Sequence, residues 1–198
     1  MNEGIIMKLI LASNSKTRKD ILDRMGLRYE VSPSNIEENS NKTDPREYVM
    51  DLSRQKGNVV SSNVKEGVIL SADSIIYIDD KKIEKTKTKE DAKNMLRLFS
   101  GRVNHAITGV TIIDKYQDKI ITFSEVTDVY FNDITDDEID WYIEHEEHIL
   151  ERCGYSLAGK AFMYIPKING DYYNVLGLPI SRIYDELKKL GYEISDFN

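Results

Sequence analysis

The sequence predicts a layered α/β fold of mixed α+β character, built on a central mixed sheet. Three observations carry the prediction. Apolar, strand-like runs at residues 9–12, 68–78, 105–113 and 120–131 are interspersed with amphipathic segments bounded by helix caps. The strands at 105–113 and 120–131 are joined by only a short polar loop, so hairpins occur beside longer crossovers and the sheet has to be mixed. Forty percent hydrophobic and 31% charged residues in 198 fit one globular domain, taken here as residues 1–198, with room for a substantial core.

The first strand, Leu9-Ile10-Leu11-Ala12, breaks into Ser13-Asn14-Ser15-Lys16-Thr17-Arg18-Lys19 and resumes as a helix that Gly26 can end. Cations in a first helical turn oppose the positive end of the backbone dipole unless an anion joins them. Two readings stay open for Lys16, Arg18 and Lys19: a phosphate-binding turn, or an ordinary helix capped by Ser15 whose cations point into water. No glycine-rich dinucleotide or P-loop signature follows any predicted strand.

The second helix begins at Asp44-Pro45-Arg46-Glu47, with Asp44 as cap, Pro45 in the first position and Glu47 completing a capping box. Its predicted apolar stripe is Tyr48, Val49, Leu52, Val59 and Val60. Lys56 falls on that stripe, where it either snorkels to the rim or places a positive charge at the floor of a cleft. Residues 68–78 then form an apolar strand pattern interrupted by Asp73 and closed by the Asp79-Asp80 turn. A carboxylate among core residues is expensive to bury unless a cation, a metal or several donors meet it. The alternative is a strand break, with Asp73 and Ser74 forming a solvated kink.

Further on, Thr88 with Asp91 opens a helix with Ala92, Met95, Leu96 and Phe99 inward and Gly101 as its stop. Thr135 with Glu138 opens another, with Ile139, Tyr142 and Ile143 inward. Asn169-Gly170, between apolar residues 161–168 and 172–176, is the best short hairpin signal. The last helix starts after Gly177-Leu178-Pro179, turns Ile180, Ile183, Tyr184, Leu187 and Leu190 inward, and ends at Gly191.

Composition removes several function classes. A single cysteine, Cys153, excludes an internal disulfide and any multi-cysteine metal site. The formal charge of −7 has no compensating basic stripe, which argues against nucleic acid as a partner. Nothing approaches the apolar length that spans a bilayer, so no membrane is expected and a cytoplasmic location is. Met7 is an alternative start, which would make residues 1–6 a dispensable extension. His145 and His148 among Glu144, Glu146 and Glu147 read as a solvated acidic helix end, not a metal site.

With these residues in place, the chain resembles the Maf family of nucleoside triphosphate pyrophosphatases, also known as septum formation proteins. LILASNSKTRKDIL is similar to the family's L-A-S-x-S-P-R-R-x-x-L-L opening, and ADSIIYIDDKKIEKT to its A-D-T-V-V block. SGRVNHAITGV and NGDYYNVLGLP resemble the S-G-x-x-H-x-x-x-T-G-V and G-D-Y-x-N-V-x-G-L-P blocks in the same order. The resemblance implies two α/β lobes around an active-site cleft, and metal-dependent hydrolysis of a nucleoside triphosphate to monophosphate and pyrophosphate in nucleotide-pool housekeeping. It implies catalytic roles for Glu38, Lys56, Asp73 and Lys85, and substrate binding by Ser13, Ser15 and Arg18. Glu38 and Asp73 would be ligands to Mg²⁺ or Mn²⁺. A homodimer is left open.

The departures concern the base. Thr17, Ser74 and Ala158 occupy positions that discriminate nucleobases in the family, and Ala158 stands where the family carries glutamine. An altered or broad base preference is therefore expected. Alternatives are a purine-directed inosine or xanthosine triphosphate pyrophosphatase, and a nucleotide-binding regulator of septum formation or cell division.

Overall fold

A computed structural model of the chain describes residues 6–147, 149–151, 153 and 155–198. His148, Gly154 and the extension before Ile6 therefore lie outside the described residues. The elements run β1 (Leu9–Leu11), α1 (Lys16–Arg24), β2 (Tyr29–Val31), α2 (Pro45–Asn63), β3 (Val68–Ile78), β4 (Lys81–Ile83) and α3 (Lys89–Phe99). They continue β5 (Val103–Asp114), β6 (Lys119–Tyr130), α4 (Asp136–His145), β7 (Lys167–Asn169), α5 (Tyr172–Val175) and α6 (Ile180–Lys189). The sheet is mixed, as expected, in the order β2-β1-β3-β5-β6-β7 with β4 on β3. β1 pairs in parallel with β2 and β3, whereas β4 and β7 pair antiparallel.

The chain divides into two compact units. The first comprises Met1–Ser74, Thr108–Glu125 and Gly177–Asn198; the second, Ile75–Ile107 and Val126–Leu176. In the first, Ile10, Ala12, Val60, Ile69 and Ile113 form a core cluster between α2 and the strands. α2 lies unusually close to the sheet because small residues face it. A Cβ at Gly109 of β5 would meet the Val49 backbone at 2.3 Å, and one at Gly57 would meet Ser71 Oγ at 2.7 Å. Buried hydroxyls fix the same contact: Ser71 Oγ donates to the Ser53 carbonyl at 2.7 Å, and Ser53 Oγ bonds Thr111 Oγ1 at 2.9 Å. The inward face of α2 is therefore Val49, Leu52, Ser53, Gly57 and Val60. Val59, expected inward, is exposed, because the helix docks along its small residues and turns that position outward.

The second unit packs Ile78, Ala92, Leu96, Phe99, Phe131, Ile139, Tyr142 and Tyr155 into one cluster, with Phe99, Phe131 and Tyr155 in mutual ring contact. Both predicted capping boxes form here, Thr88 with Asp91 and Thr135 with Glu138. The third does not: Asp44 accepts from Arg46 and Glu47 N–H, but the Glu47 carboxylate turns instead to Lys42, 3.9 Å away.

The hairpin expected at Asn169-Gly170 is also absent. Residues 160–164 form a 3-10 turn, only Lys167–Asn169 is extended, and it pairs with β6. Asp171 caps a short helix by accepting from Tyr173 N–H at 2.7 Å. The buried Asn174 then donates to the Ala106 carbonyl and to Thr127 Oγ1, both at 3.0 Å. These bonds outweigh a two-residue turn. Gly170, at φ +130°, serves a close approach, since a Cβ there would meet Thr127 Oγ1 at 2.7 Å.

The second capping box makes a measurable prediction. The Glu138 carboxylate accepts from Thr135 N–H at 2.8 Å and from its hydroxyl at 2.9 Å, and these bonds hold its pKa below the usual carboxylate range. A folded-state value below the unfolded one, about 4.3, stabilises the native state above that pH and fades as pH falls through the folded value. The Tm difference between wild type and Glu138→Gln should therefore be largest near neutrality and shrink as the pH is lowered through the acidic range. An unchanged difference across thermal melts over this range would contradict the assignment.

Candidate active site

Eight of the sequence-predicted site residues lie in the first unit, on three elements and two loops. β1 ends at Leu11, and the irregular residues 12–15 carry Ser13 and Ser15 into α1. Ser13 Oγ accepts from Ser15 N–H at 3.2 Å, and Ser15 Oγ accepts from Arg18 N–H at 3.4 Å, so Ser15 is the helix cap foreseen. The first turn of α1 contains no acidic residue.

The Arg18 side chain turns back from that first turn across the unit. Its Nε donates to the Gly177 carbonyl at 2.8 Å and its Nη1 to the Ala72 carbonyl at 2.8 Å and to Ser13 Oγ at 3.2 Å. Nη2 donates to Ser74 Oγ at 3.1 Å. Among the described residues these bonds occupy four of the five guanidinium donors. Arg18 is thus a strut between the Ser13 loop, β3 and the turn before α6. Burial lowers its pKa, while Asp73 and Glu38 work in the opposite direction. Gly177, at φ +89°, brings its backbone up to this strut, where a Cβ would stand 3.1 Å from Ser74 Oγ.

β3 runs unbroken through Asp73, so the alternative of a strand break is excluded. The Asp73 carboxylate is buried, and Lys56 of α2 meets it at 2.6 Å. The same ammonium lies 2.7 Å from Glu38 Oε1, brought in by the irregular segment between β2 and α2. Desolvating two such charges costs several kcal/mol, offset only by close pairing. The close seat of α2 at Ser53 and Gly57 holds Lys56 at this distance, because its neighbours on the helix are fixed against Ser71 of β3.

Thr17 is half-buried on α1, and Ser74 is exposed. The Ser74 hydroxyl is bonded to Thr108 Oγ1 at 2.9 Å as well as to Arg18. Lys85 and Ala158 belong to the second unit. Lys85 is exposed in the segment after β4, and Ala158 is exposed in a turn, its N–H donating to Ser156 Oγ at 3.3 Å. Thr108 and Gly109 belong to the T-G-V block that carries the resemblance, but no role was expected of either. An isolated glycine within a strand pattern is the signal that marks such a close backbone approach.

The donor set can be tested against the divalent ion that the resemblance implies. Among the described residues no group of three or more His, Cys, Asp or Glu side chains converges. Asp73 and Glu38 do converge on one cation, the Lys56 ammonium. Two carboxylates, completed by water and phosphate oxygens, are the hard oxygen set that suits Mg²⁺ or Mn²⁺, so the residues fit. Among the described residues no helix is long and apolar enough to cross a membrane.

The chain is 39% identical over 186 residues to the dTTP/UTP pyrophosphatase of Carboxydothermus hydrogenoformans, covering 94% of this chain and 100% of that protein. It is 40% identical over 184 residues to the dTTP/UTP pyrophosphatase of Thermoanaerobacter sp. (strain X514), covering 92% and 96%. The structure of the Staphylococcus aureus Ham1 protein superposes with a TM-score of 0.52 at 12% identity, covering 92% of this chain and 99% of that one, a likeness of fold. Residues 8–190 match the model of the Maf-like protein family, and the chain belongs to that family.

Proposed function

We propose that this protein hydrolyses nucleoside triphosphates to monophosphate and pyrophosphate, accepts dTTP and UTP among its substrates, and cleanses the nucleotide pool of the cytoplasm. The observation that carries the reading is the buried Asp73 carboxylate, paired with Lys56 and Glu38 beside the capped turn of α1. The dTTP/UTP pyrophosphatases to which the chain is similar support the substrate class.

In this reading Asp73 orients a water and accepts its proton as the water oxygen attacks the α-phosphorus. The bond from the α-phosphorus to the bridging oxygen breaks, and pyrophosphate leaves with the electron pair. Glu38 and Asp73 would hold a divalent ion, which when bound supplies charge neutralisation at the triphosphate and makes water more acidic. Lys56 donates to phosphate oxygens and stabilises the charge on the leaving group, the role that the resemblance also gives Lys85. Ser13, Ser15 and the first turn of α1 receive phosphate, and Arg18 holds that turn in place.

Base preference is expected to be looser than a strict choice of dTTP and UTP. Ala158 offers no side-chain polar group, and the Ser74 hydroxyl is already engaged by Thr108 and Arg18. A lost polar contact weakens discrimination by about 1–3 kcal/mol, or roughly 5- to 150-fold. A panel of dTTP, UTP, CTP, GTP, ATP, ITP and XTP with Mg²⁺ or Mn²⁺, scored for pyrophosphate release, tests both statements. Turnover of dTTP and UTP with another triphosphate within about tenfold in kcat/KM is expected. Release of inorganic phosphate alone would contradict the reaction, and a sharp dTTP/UTP preference would contradict the loosened recognition.

A further inference from the structure

We propose that Lys56 is the resident cation of the nucleotide-free site. The divalent ion takes its place only together with a triphosphate, onto which the Lys56 ammonium moves. The inference rests on the metal-assisted reading above and concerns the order in which the site assembles.

One ammonium bonds both carboxylates that the ion needs, Asp73 Oδ1 at 2.6 Å and Glu38 Oε1 at 2.7 Å. The side chains of Lys56 and Asp73 are only 12% and 9% exposed, so water screens this pair weakly. Arg18, held by its four bonds, adds a second fixed positive charge that interacts with Asp73 and Glu38. Two cations and two carboxylates leave the cluster formally neutral. A divalent ion arriving alone meets neutralised ligands and a like charge at the point it would occupy.

A triphosphate changes the balance in two ways. Its oxygens offer the ammonium replacement acceptors, and its charge accompanies the divalent ion into the site. The backbone of α2 is seated against the sheet at Val49, Ser53 and Gly57, so the transfer falls to the flexible four-carbon stem of Lys56. The ion and the nucleotide therefore bind with positive coupling, and Lys56 carries that coupling.

The test is binding of Mn²⁺ to the full-length protein, followed by the free-ion electron paramagnetic resonance signal. It is run without nucleotide and then with the α,β-methylene analogue of UTP, which cannot be cleaved at the reacting bond. Without nucleotide, Lys56→Met and Lys56→Gln should bind Mn²⁺ at least about tenfold more tightly than wild type, because the competing charge is gone. Lys56→Arg, which keeps the charge, should stay within about threefold of wild type. The analogue should raise wild-type affinity for Mn²⁺ by about tenfold or more and raise it much less in the neutral variants.

Equal nucleotide-free affinity in wild type and both neutral variants would overturn the proposal, as would an equal gain in Lys56→Arg. Circular dichroism of each variant establishes that it is folded, and the two neutral variants guard against the loss of either one. Should Mn²⁺ bind no form even with the analogue present, the metal-assisted reading itself fails and takes this inference with it. That outcome is distinct from tight binding that ignores residue 56.

Discussion

Asp73→Asn is expected to lower turnover by about a thousandfold or more while the protein stays folded. The substitution keeps the shape of the side chain and one carbonyl oxygen to accept from Lys56, whose ammonium lies 2.6 Å from the wild-type carboxylate. It removes the proton acceptor and one of the two carboxylates able to hold a cation. Both losses fall on the chemical step, so kcat should drop far more than KM rises. The weakened bond to Lys56 should cost about 1–3 kcal/mol of stability, well short of unfolding a domain. Steady-state pyrophosphate release, read beside a urea melt, separates the two effects. Wild-type turnover in a folded Asp73→Asn protein would remove Asp73 from the mechanism.

Gly109→Ala should be among the most destabilising single substitutions in the chain. The added methyl carbon would stand 2.3 Å from the Val49 carbonyl carbon and oxygen and 2.5 Å from Met50 N. All three are backbone atoms of α2, so no side-chain rotation relieves the overlap and the helix must move away from β5. That movement also strains the bond between Ser53 Oγ and Thr111 Oγ1 and withdraws Lys56 from Asp73. A cost of about 3 kcal/mol or more is expected, which lowers Tm by roughly 6–12 °C in a domain of this size. Reduced turnover should accompany it below the melting temperature. A melt within about 2 °C of wild type would show that the helix is not seated through this glycine.

These two predictions draw on different depths of the sequence. Asp73 was legible because a carboxylate in a run of core residues violates a strong rule, and the violation marks chemistry. Capping signals were legible for the same local reason: Ser15, Asp44, Thr88 and Thr135 all cap the helices expected of them. The pairing of Lys56 with Asp73 and Glu38 joins three segments far apart in sequence, and no local pattern encodes it. Glu38 sits in a polar loop with no periodicity and was marked only by resemblance. The helix turn left Arg18 open between phosphate ligand and solvated cation, and its bonds to the carbonyls of Ala72 and Gly177 depend wholly on tertiary structure.

The errors have the same origin. Asn169-Gly170 carries a strong local turn signal, yet the bonds that Asn174 makes to Ala106 and Thr127 draw the following residues into a helix. Val59 satisfied the helical stripe, but α2 chose the face with Ser53 and Gly57, because small residues admit a closer approach than a valine does. Local rules placed most of the elements, and close tertiary packing decided which faces they turn to one another.

Hydrolysis of UTP in water enriched in ¹⁸O, with mass analysis of both products, probes the proposed chemistry at the bond that reacts. Attack on the α-phosphorus by a water that Asp73 deprotonates puts the label in the monophosphate and leaves pyrophosphate unlabelled. Label in pyrophosphate instead would place the attack at the β-phosphorus and contradict the mechanism.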